Sequence, residues 1–306
     1  MSAEGGSKAI IAALGANLGI AASKFIAFAF TGSASMLTEG IHSVADSGNQ
    51  VLLLIGKKRS TQEADDQHNF GYGRRRYVYG FLVAIVLFLI GGVFSLYEGI
   101  HKILHPDDVA DAWLAFVVLG VAIGLEGFSF RTALKEAKHL RGHRSLTKFV
   151  RDTRQPELPV ILLEDFGALI GLGFALVGVT MAVITSDGRW DGAGAVAVGT
   201  LLLVIAVFLA IEMAAGLVGE SALPEERAAI LAALEGSEGV GRVIHLRTLH
   251  VAPEELLVAA KIAIMHQDTG AEIAADIDAA EAAIRAAVPT ARYIFLEPDL
   301  DRGFGA

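Results

Sequence analysis

The chain has 306 residues, of which 53% are hydrophobic and 19% are charged, and its formal net charge at pH 7 is −9. Soluble domains carry about 25% charged residues. Low charge together with a mean hydropathy of +0.52 is typical of a chain that lies in a membrane, where buried charge is expensive. The sequence contains no cysteine, which excludes disulfides, thiolate metal sites and cysteine nucleophiles. Any metal ion must therefore be held by His, Asp, Glu or water.

Six apolar stretches are long enough to cross ~30 Å of hydrocarbon at ~1.5 Å per residue. We place them at Ile10–Thr31, Ala34–Lys57, Tyr77–Leu104, Trp113–Thr132, Pro159–Ser186 and Ala193–Val218. A short polar N-terminus runs directly into the first stretch without a small-residue cleavage site, so we expect a retained helix rather than a signal peptide. Residues 1–219 are therefore predicted to form a transmembrane domain of six helices.

Basic residues concentrate in two of the links between these stretches. Six Lys and Arg follow the second stretch, within residues 57–76, and seven follow the fourth, within residues 135–154. The other links are nearly free of them, so the positive-inside rule places both basic links in the cytoplasm. With six spans, both termini are cytoplasmic too. We expect a multi-pass protein that is located in a bacterial inner (cell) membrane.

The sequence from Glu220 onward has the pattern of short helices and strands that is typical of a soluble domain. Its predicted elements are, in order, a helix, two strands, a helix and a strand. They are placed at Pro224–Leu234, Val240–Leu249, Leu256–Met265, Thr269–Val288 and Tyr293–Glu297. Five short elements in ~80 residues indicate a small α+β sandwich, which we assign to residues 220–306.

A stripe of polar side chains runs along the second apolar stretch. His42 and Asp46 are four residues apart, so they share one helix face at ~5–6 Å. Glu39 and Asn49 extend the stripe at its two ends. Such a stripe cannot face lipid and must face the bundle interior or a wet cavity. Nitrogen and oxygen donors at this spacing suit zinc, manganese, iron or cobalt.

Two adjacent carboxylates, Glu164 and Asp165, lie inside the fifth stretch. Asp46 is ~18 Å from the outer end of its helix and Asp165 is ~9 Å from the inner end of a helix that runs the opposite way. These levels nearly coincide in a ~30 Å core. Desolvating several carboxylates has no evident structural benefit, whereas a single His is more often satisfied by a neighbouring helix. The combined set therefore predicts a metal site shared by the two helices.

Other polar residues receive less specific interpretations. Glu126 and Glu212 fall towards the cytoplasmic ends of their spans, where we expect them at the membrane interface. Asp65 and His68, three residues apart in the first basic link, could form a weak surface metal site. The alternative is a polar turn closed by two glycines, and the spacing alone favours the turn.

Several motifs resemble the cation diffusion facilitator family of metal–proton antiporters. They are Ser33–Gln50, His68–Gly73, Ser95–Gly99, Asp191-Gly192 and Leu296–Pro298. The resemblance implies six helices with a cytoplasmic ferredoxin-like domain, working in the lipid bilayer as a homodimer by alternating access. It also implies export of a divalent metal against protons, with zinc first and manganese, iron or cobalt as alternatives. We expect no enzymatic activity, no cofactor beyond the transported ion and no nucleic-acid partner.

The family's transport site pairs two residues of the second span with two of the fifth, four residues apart. The resemblance assigns His42, Asp46 and Asp165 to this site, but the fourth position holds Ile161, which cannot bind metal. The candidates to complete the shell are Glu164, Glu39, Asn49 and water. The departure keeps open a second function, a non-transporting metal-sensing or partner subunit of the same fold. An intramembrane metallohydrolase would need a His-Glu-x-x-His run or comparable machinery, and the sequence has no such run.

The family's cytoplasmic domain often binds zinc through histidines on its strands. The positions aligned with them hold Ile244, Lys261 and Phe295. Lys261 would put a positive charge where a dication should sit. We therefore expect the tail from Glu220 to Leu300 to be a dimerisation module without a two-zinc cluster.

Overall fold

The computed structural model of this chain describes residues 5–31, 34–106, 112–142, 145–264 and 269–300. The side chains of residues 5, 6, 30, 31, 34–42, 45, 112 and 147 fall outside that description. The elements are α1 Gly5–Thr31, α2 Ala34–Ser60, α3 Arg75–Val86, α4 Phe94–Leu104, α5 Ala112–Arg141, α6 Leu146–Asp152, α7 Glu157–Thr185, α8 Arg189–Val218, α9 Pro224–Glu235, β1 Arg242–Ala252, β2 Glu255–Ile264, α10 Gly270–Ala287 and β3 Ala291–Leu300. They form two compact units, one of Met1–Thr61 with Arg75–Ala214 and one of Gln62–Arg74 with Ala215–Ala306.

Within the described ranges, five helical stretches are long and apolar enough to cross a membrane. They are Ser7–Ala29, Arg75–Leu104, Trp113–Arg141, Glu157–Thr185 and Arg189–Val218. They confirm a multi-pass helical membrane domain ahead of a small α+β domain. Helix α2 has 27 residues, as many as α1, and it packs against both α1 and α3. Its polar stripe and basic end lower its hydropathy, so α2 is not among these five stretches. The count of six spans therefore stays a prediction.

The fourth predicted span is longer than expected. We placed its end at Thr132, but α5 continues to Arg141. The extension is rich in Ala, Leu, Lys and Glu, which are strong helix formers, and its last turn carries Lys138 and Arg141, which suit the negative end of the helix dipole. Hydropathy predicts where the apolar stretch ends, whereas the helix itself continues beyond that point.

The third span is a continuous helix of mixed geometry, because a π-helical segment, Leu87–Val93, joins α3 to α4. Beyond it, α4 lies unusually close to α8. A Cβ atom on Gly99 would lie 2.7 Å from the backbone nitrogen of Val196, and one on Gly199 would lie 2.7 Å from that of Leu96. Any larger residue at these glycines would push the two backbones apart.

The second unit contains a three-stranded sheet in the order β1-β2-β3. Strands β1 and β2 are antiparallel, and β2 and β3 are parallel, with α10 as the crossover between them. Alternate residues of β2, such as Leu256, Val258 and Ile262, share one core with Ile230 of α9 and Ile284 of α10. This alternation places them on one face of the sheet. The predicted element order of the tail is therefore confirmed.

The link between α2 and α3 belongs to this second unit. The ring of Phe70 meets the ring of Tyr293 on β3 edge to face, with centroids 5.0 Å apart. Arg74 Nη2 donates a hydrogen bond to the backbone oxygen of His250 on β1, at 3.3 Å. A segment that the sequence places between two spans is thus packed against the α+β domain.

Candidate metal centre

A buried hydrogen-bond network joins three helices of the membrane domain. Asn49 Nδ2 and Gln50 Nε2, both on α2, donate to the two carboxylate oxygens of Glu164 on α7, at 3.0 and 3.1 Å. Gln50 Oε1 in turn accepts from Asn17 Nδ2 of α1 at 3.2 Å. All four side chains are buried. The structure thus brings polar side chains of the second and fifth predicted spans to one level, whereas the sequence had predicted Asp46 and Asp165 there.

Asn49 has one polar atom left over. Its Oδ1 is buried and accepts no hydrogen bond from the described residues. An unpaired buried acceptor costs about 1–3 kcal/mol, so it needs an explanation. A carbonyl-type oxygen in this position can serve as a ligand for a cation that prefers oxygen donors. Asn49 was a candidate ligand from the sequence, and it stays a candidate.

Asp165 faces a different helix from its neighbour Glu164. Ser129 Oγ of α5 donates to Asp165 Oδ2 at 2.7 Å, and Asp165 is buried. Consecutive helix residues are ~100° apart around the axis, so Glu164 points to α2 while Asp165 points to α5. One turn earlier, Ile161 is fully buried. Glu164 therefore does not simply take the place of a ligand missing at Ile161.

Glu126 joins this cluster, although we had expected it at the membrane interface. It is 7% exposed. Its carboxylate repels those of Asp46 and Asp165, and all three repel Glu164. The interfacial prediction is wrong because α5 packs against α1 and α7, and this packing buries Glu126. The signal was available in the sequence, since an ionisable residue inside an apolar stretch is by default a functional candidate.

Gln50, Asn17 and Ser129 were also missed. Gln50 follows Asp46 by four residues, so it continues the stripe along α2 and could have been read from its spacing. Asn17 and Ser129 are uncharged residues in apolar stretches, and only the packing of α1 and α5 gives them partners.

The remaining predicted ligands are placed as follows. Asp46 is half-buried on α2. Glu39 and His42 also belong to α2, but their side chains fall outside the described residues. In the part of the chain that the structure describes, no group of three or more His, Asp or Glu side chains could hold one metal ion.

The loop pair Asp65 and His68 forms a hydrogen-bonded turn. Asp65 Oδ1 accepts from the backbone nitrogens of Gln67 and His68, at 3.0 and 2.7 Å. Its Oδ2 accepts from the Tyr72 hydroxyl at 2.6 Å, and this bond holds the pKa of Asp65 below its usual 3.8. Gly71 closes the turn with a φ of +72°, which only glycine adopts readily. The arrangement is that of the polar turn.

In the second unit, an ammonium group occupies the place between two carboxylates. Lys261 Nζ on β2 lies 3.0 Å from Glu297 Oε1 and 3.0 Å from Asp299 Oδ2, both on β3. Hydrogen bonds to Asp299 and then Glu297 raise the pKa of Lys261. The two carboxylates are thus already paired with the Lys261 ammonium. Two histidines of this unit are accounted for separately: His250 is buried on β1, 3.9 Å from Glu226, and His266 lies outside the described residues.

Comparison with known proteins gives a consistent result. Residues 10–218 match the family model described as the cation efflux transmembrane domain. Over 224 residues the chain is 35% identical to "Proton-coupled zinc antiporter SLC30A9, mitochondrial" of Mus musculus, covering 72% of this chain and 39% of that protein. It is 25% identical over 257 residues to "Metal tolerance protein C4" of Arabidopsis thaliana, covering 83% and 56%. It is 24% identical over 235 residues to "Cation-efflux pump FieF" of Serratia proteamaculans, covering 76% and 73%. The chain spans about two fifths of the length of the mouse relative.

Proposed function

We propose that this chain, which belongs to the cation efflux family, exports a divalent transition-metal ion from the cytoplasm in exchange for protons. Its relatives are named as zinc antiporters, metal tolerance proteins and efflux pumps. The observation that carries the proposal is the pair of buried carboxylates, Glu164 and Asp165, on a membrane-spanning helix packed beside polar helices. Anionic groups at this depth are costly, and a transported cation gives them a reason to be there.

We infer that the ion binds at His42 and Asp46 of α2 and at Asp165 of α7, whose carboxylate also accepts a hydrogen bond from α5. Asn49 follows Asp46 by three residues, so it lies on the same face of the helix. Its open Oδ1 supplies the fourth donor that Ile161 cannot give. Glu164 has both oxygens engaged by α2 amides, which suits a group that positions the helices. Glu39, at the outer end of the stripe, is the remaining candidate.

Proton exchange follows from the chemistry of these donors. Carboxylates and imidazole bind metal only when deprotonated, so metal binding and proton release are linked. Histidine is the side chain that ordinarily titrates near neutral pH, which makes His42 the proposed proton carrier. One nitrogen donor among oxygens suits zinc, and the oxygen-rich remainder tolerates manganese, iron or cobalt.

The test is metal flux in proteoliposomes that contain the purified chain, across a panel of divalent metals. With a pH gradient that drives protons out through the protein, zinc should accumulate inside. Collapsing the gradient should stop the accumulation. Empty liposomes and liposomes with the Asp165→Asn variant are the controls.

The second candidate is a non-transporting metal sensor or partner subunit, which the buried Ile161 favours. Saturable zinc binding by the purified chain, without zinc flux under a pH gradient of either direction, would support this candidate and contradict the transporter.

We further propose a homodimer in a bacterial inner (cell) membrane, with six spans and both termini cytoplasmic. Since the chain has no cysteine, any introduced thiol is unique. In intact cells a membrane-impermeant thiol reagent should label Arg189→Cys and spare Ser145→Cys. The reverse pattern would overturn the orientation.

A further inference from the structure

A lysine lies inside the first apolar span. Lys24 belongs to the stretch Ser7–Ala29, whose composition is suited to crossing a membrane. Its Nζ donates a hydrogen bond to Ser43 Oγ of α2 at 2.9 Å, and Ser43 is 3% exposed. A charged ammonium in such a span is costly, and residues of this kind usually mark an ion or substrate pathway.

The ammonium is directed towards the candidate metal centre. Lys24 is five residues from Ala29, or ~8 Å along the helix, a distance at which a long side chain can extend to the membrane surface. Its ammonium instead donates to Ser43 of α2. Its partner Ser43 lies nine residues into α2 from Ala34, or ~13 Å. Ser43 also precedes Asp46 by three residues on one helix face.

The charge of Lys24 acts on one carboxylate of the cluster. It attracts Glu126, which Asp165 and Asp46 repel. Carboxylates gathered at this depth need a counter-charge. Lys24 is a positive charge that stays when the transported ion has left.

We propose that Lys24 is a built-in counter-cation of the transport site and that its charge sets how tightly the divalent ion is held. The proposal rests on the proposed function. A fixed positive charge within ~8 Å of a dication weakens its binding by about tenfold or more. Weak binding serves a transporter, because the ion must leave as readily as it enters. In this proposal Lys24 controls the affinity of the site and is not a ligand.

The chain supplies a matched control. Lys57 Nζ of α2 donates to Ser7 Oγ of α1, also at 2.9 Å, so it joins the same two helices by the same kind of bond. Lys57 follows Asp46 by eleven residues, or ~16 Å, outside the carboxylate cluster. If Lys24 acts only by holding α1 to α2, the Lys57 variant should behave like the Lys24 variant.

The experiment measures the equilibrium Kd for zinc of the full-length chain in detergent, at fixed pH, together with zinc flux. Lys24→Gln should lower Kd by about tenfold or more and slow the maximal flux, because release becomes slower. Lys24→Arg and Ser43→Ala keep the charge and should stay within about threefold of the unaltered chain. Lys57→Gln should leave Kd unchanged.

A Kd that is unchanged or higher in a folded Lys24→Gln variant would overturn the proposal. If that variant does not fold, Lys24→Gln combined with Glu126→Gln restores the charge balance. The double variant should bind zinc more tightly than Glu126→Gln alone, and equal affinities would also overturn it. Zinc binding without flux by the unaltered chain contradicts the transport function, while the Kd comparison still decides the role of Lys24.

Discussion

Asn49 donates its side-chain amide to Glu164 Oε1 over 3.0 Å, a bond between residues that are 115 positions apart in the chain. With the parallel bond from Gln50, it fixes α2 against α7 at the level of the candidate metal centre. Any movement of one helix along the other must break these bonds, so they stabilise one arrangement of the site.

Replacing Glu164 separates a structural from a ligand role. Glu164→Gln keeps one acceptor oxygen but faces two amide donors, so we expect about 1–3 kcal/mol of destabilisation and near-normal zinc flux below the unfolding temperature. Glu164→Ala should be less stable, because both donors lose their acceptor. Thermal unfolding in detergent and proteoliposome flux provide the measurements. The exposed Glu235→Gln on α9 is the control, and loss of flux in a folded Glu164→Gln variant would make Glu164 a ligand.

Asp46 and Asp165 should be indispensable for transport. Asp46→Ala and Asp165→Ala each remove a proposed metal donor, so zinc flux should fall to the background of empty liposomes while the protein remains folded and inserted. Asp278→Ala, an exposed carboxylate on α10, should transport normally. Near-normal flux in either site variant would remove that residue from the metal site.

Position 161 should control the choice of metal. Ile161 precedes Asp165 by one helical turn and is fully buried, so Ile161→His would place an imidazole beside the proposed ion. Competition flux assays should then show a higher preference for zinc over manganese, since an added nitrogen donor favours the softer ion. The apolar control Ile161→Leu should keep the original ratio. A ratio in Ile161→His equal to that of Ile161→Leu would mean that this position does not face the ion.

A buried ion pair holds the start of α7. Arg76 of α3 pairs with Glu157 through both carboxylate oxygens, with Nη2 to Oε2 at 2.6 Å, and the side chains are 12% and 3% exposed. Arg76→Met should destabilise the chain by about 3 kcal/mol, because the Glu157 charge is left buried and unpaired. Adding Glu157→Leu should recover much of this loss in equilibrium unfolding.

The matched comparison is the more exposed pair of Arg285 with Glu281 on α10, at 2.8 Å. Arg285→Ala should cost less than about 1 kcal/mol. A similar loss from Arg76→Met and Arg285→Ala would show that burial of the Arg76 pair contributes nothing.

The loop carboxylate Asp65 gives a pH prediction. Its pKa is lowered mainly by the Tyr72 hydrogen bond, which favours the charged form. The stability that this bond contributes is therefore fully present above the usual pKa of 3.8 and is lost as the pH falls through the lowered value. In Tyr72→Phe the pKa of Asp65 should rise towards 3.8, as measured by carboxyl NMR titration. Tyr97→Phe on α4 is the control, and an unshifted Asp65 in Tyr72→Phe would contradict the assigned cause.

The sequence by itself determined most of the segments that form helices and strands, although it did not predict α6 in the second basic link. Apolar length and residue spacing are local properties, so α1, α7 and α8 and the helix–strand order of the tail could be predicted to within a few residues. The polar stripe of α2 and the carboxylates of α7 were also readable, because an ionisable residue in an apolar stretch stands out against its neighbours.

Only the tertiary structure decided which of these groups meet. That Glu164 faces α2 while Asp165 faces Ser129 on α5 depends on the rotation of α7 against its neighbours, which spacing along one helix does not fix. The burial of Glu126 depends on how α5 packs against α1 and α7, and the partner of Lys24 depends on how α1 packs on α2. Hydrophobic pattern is summed along one segment, whereas each of these contacts joins residues of different helices and exists only after packing.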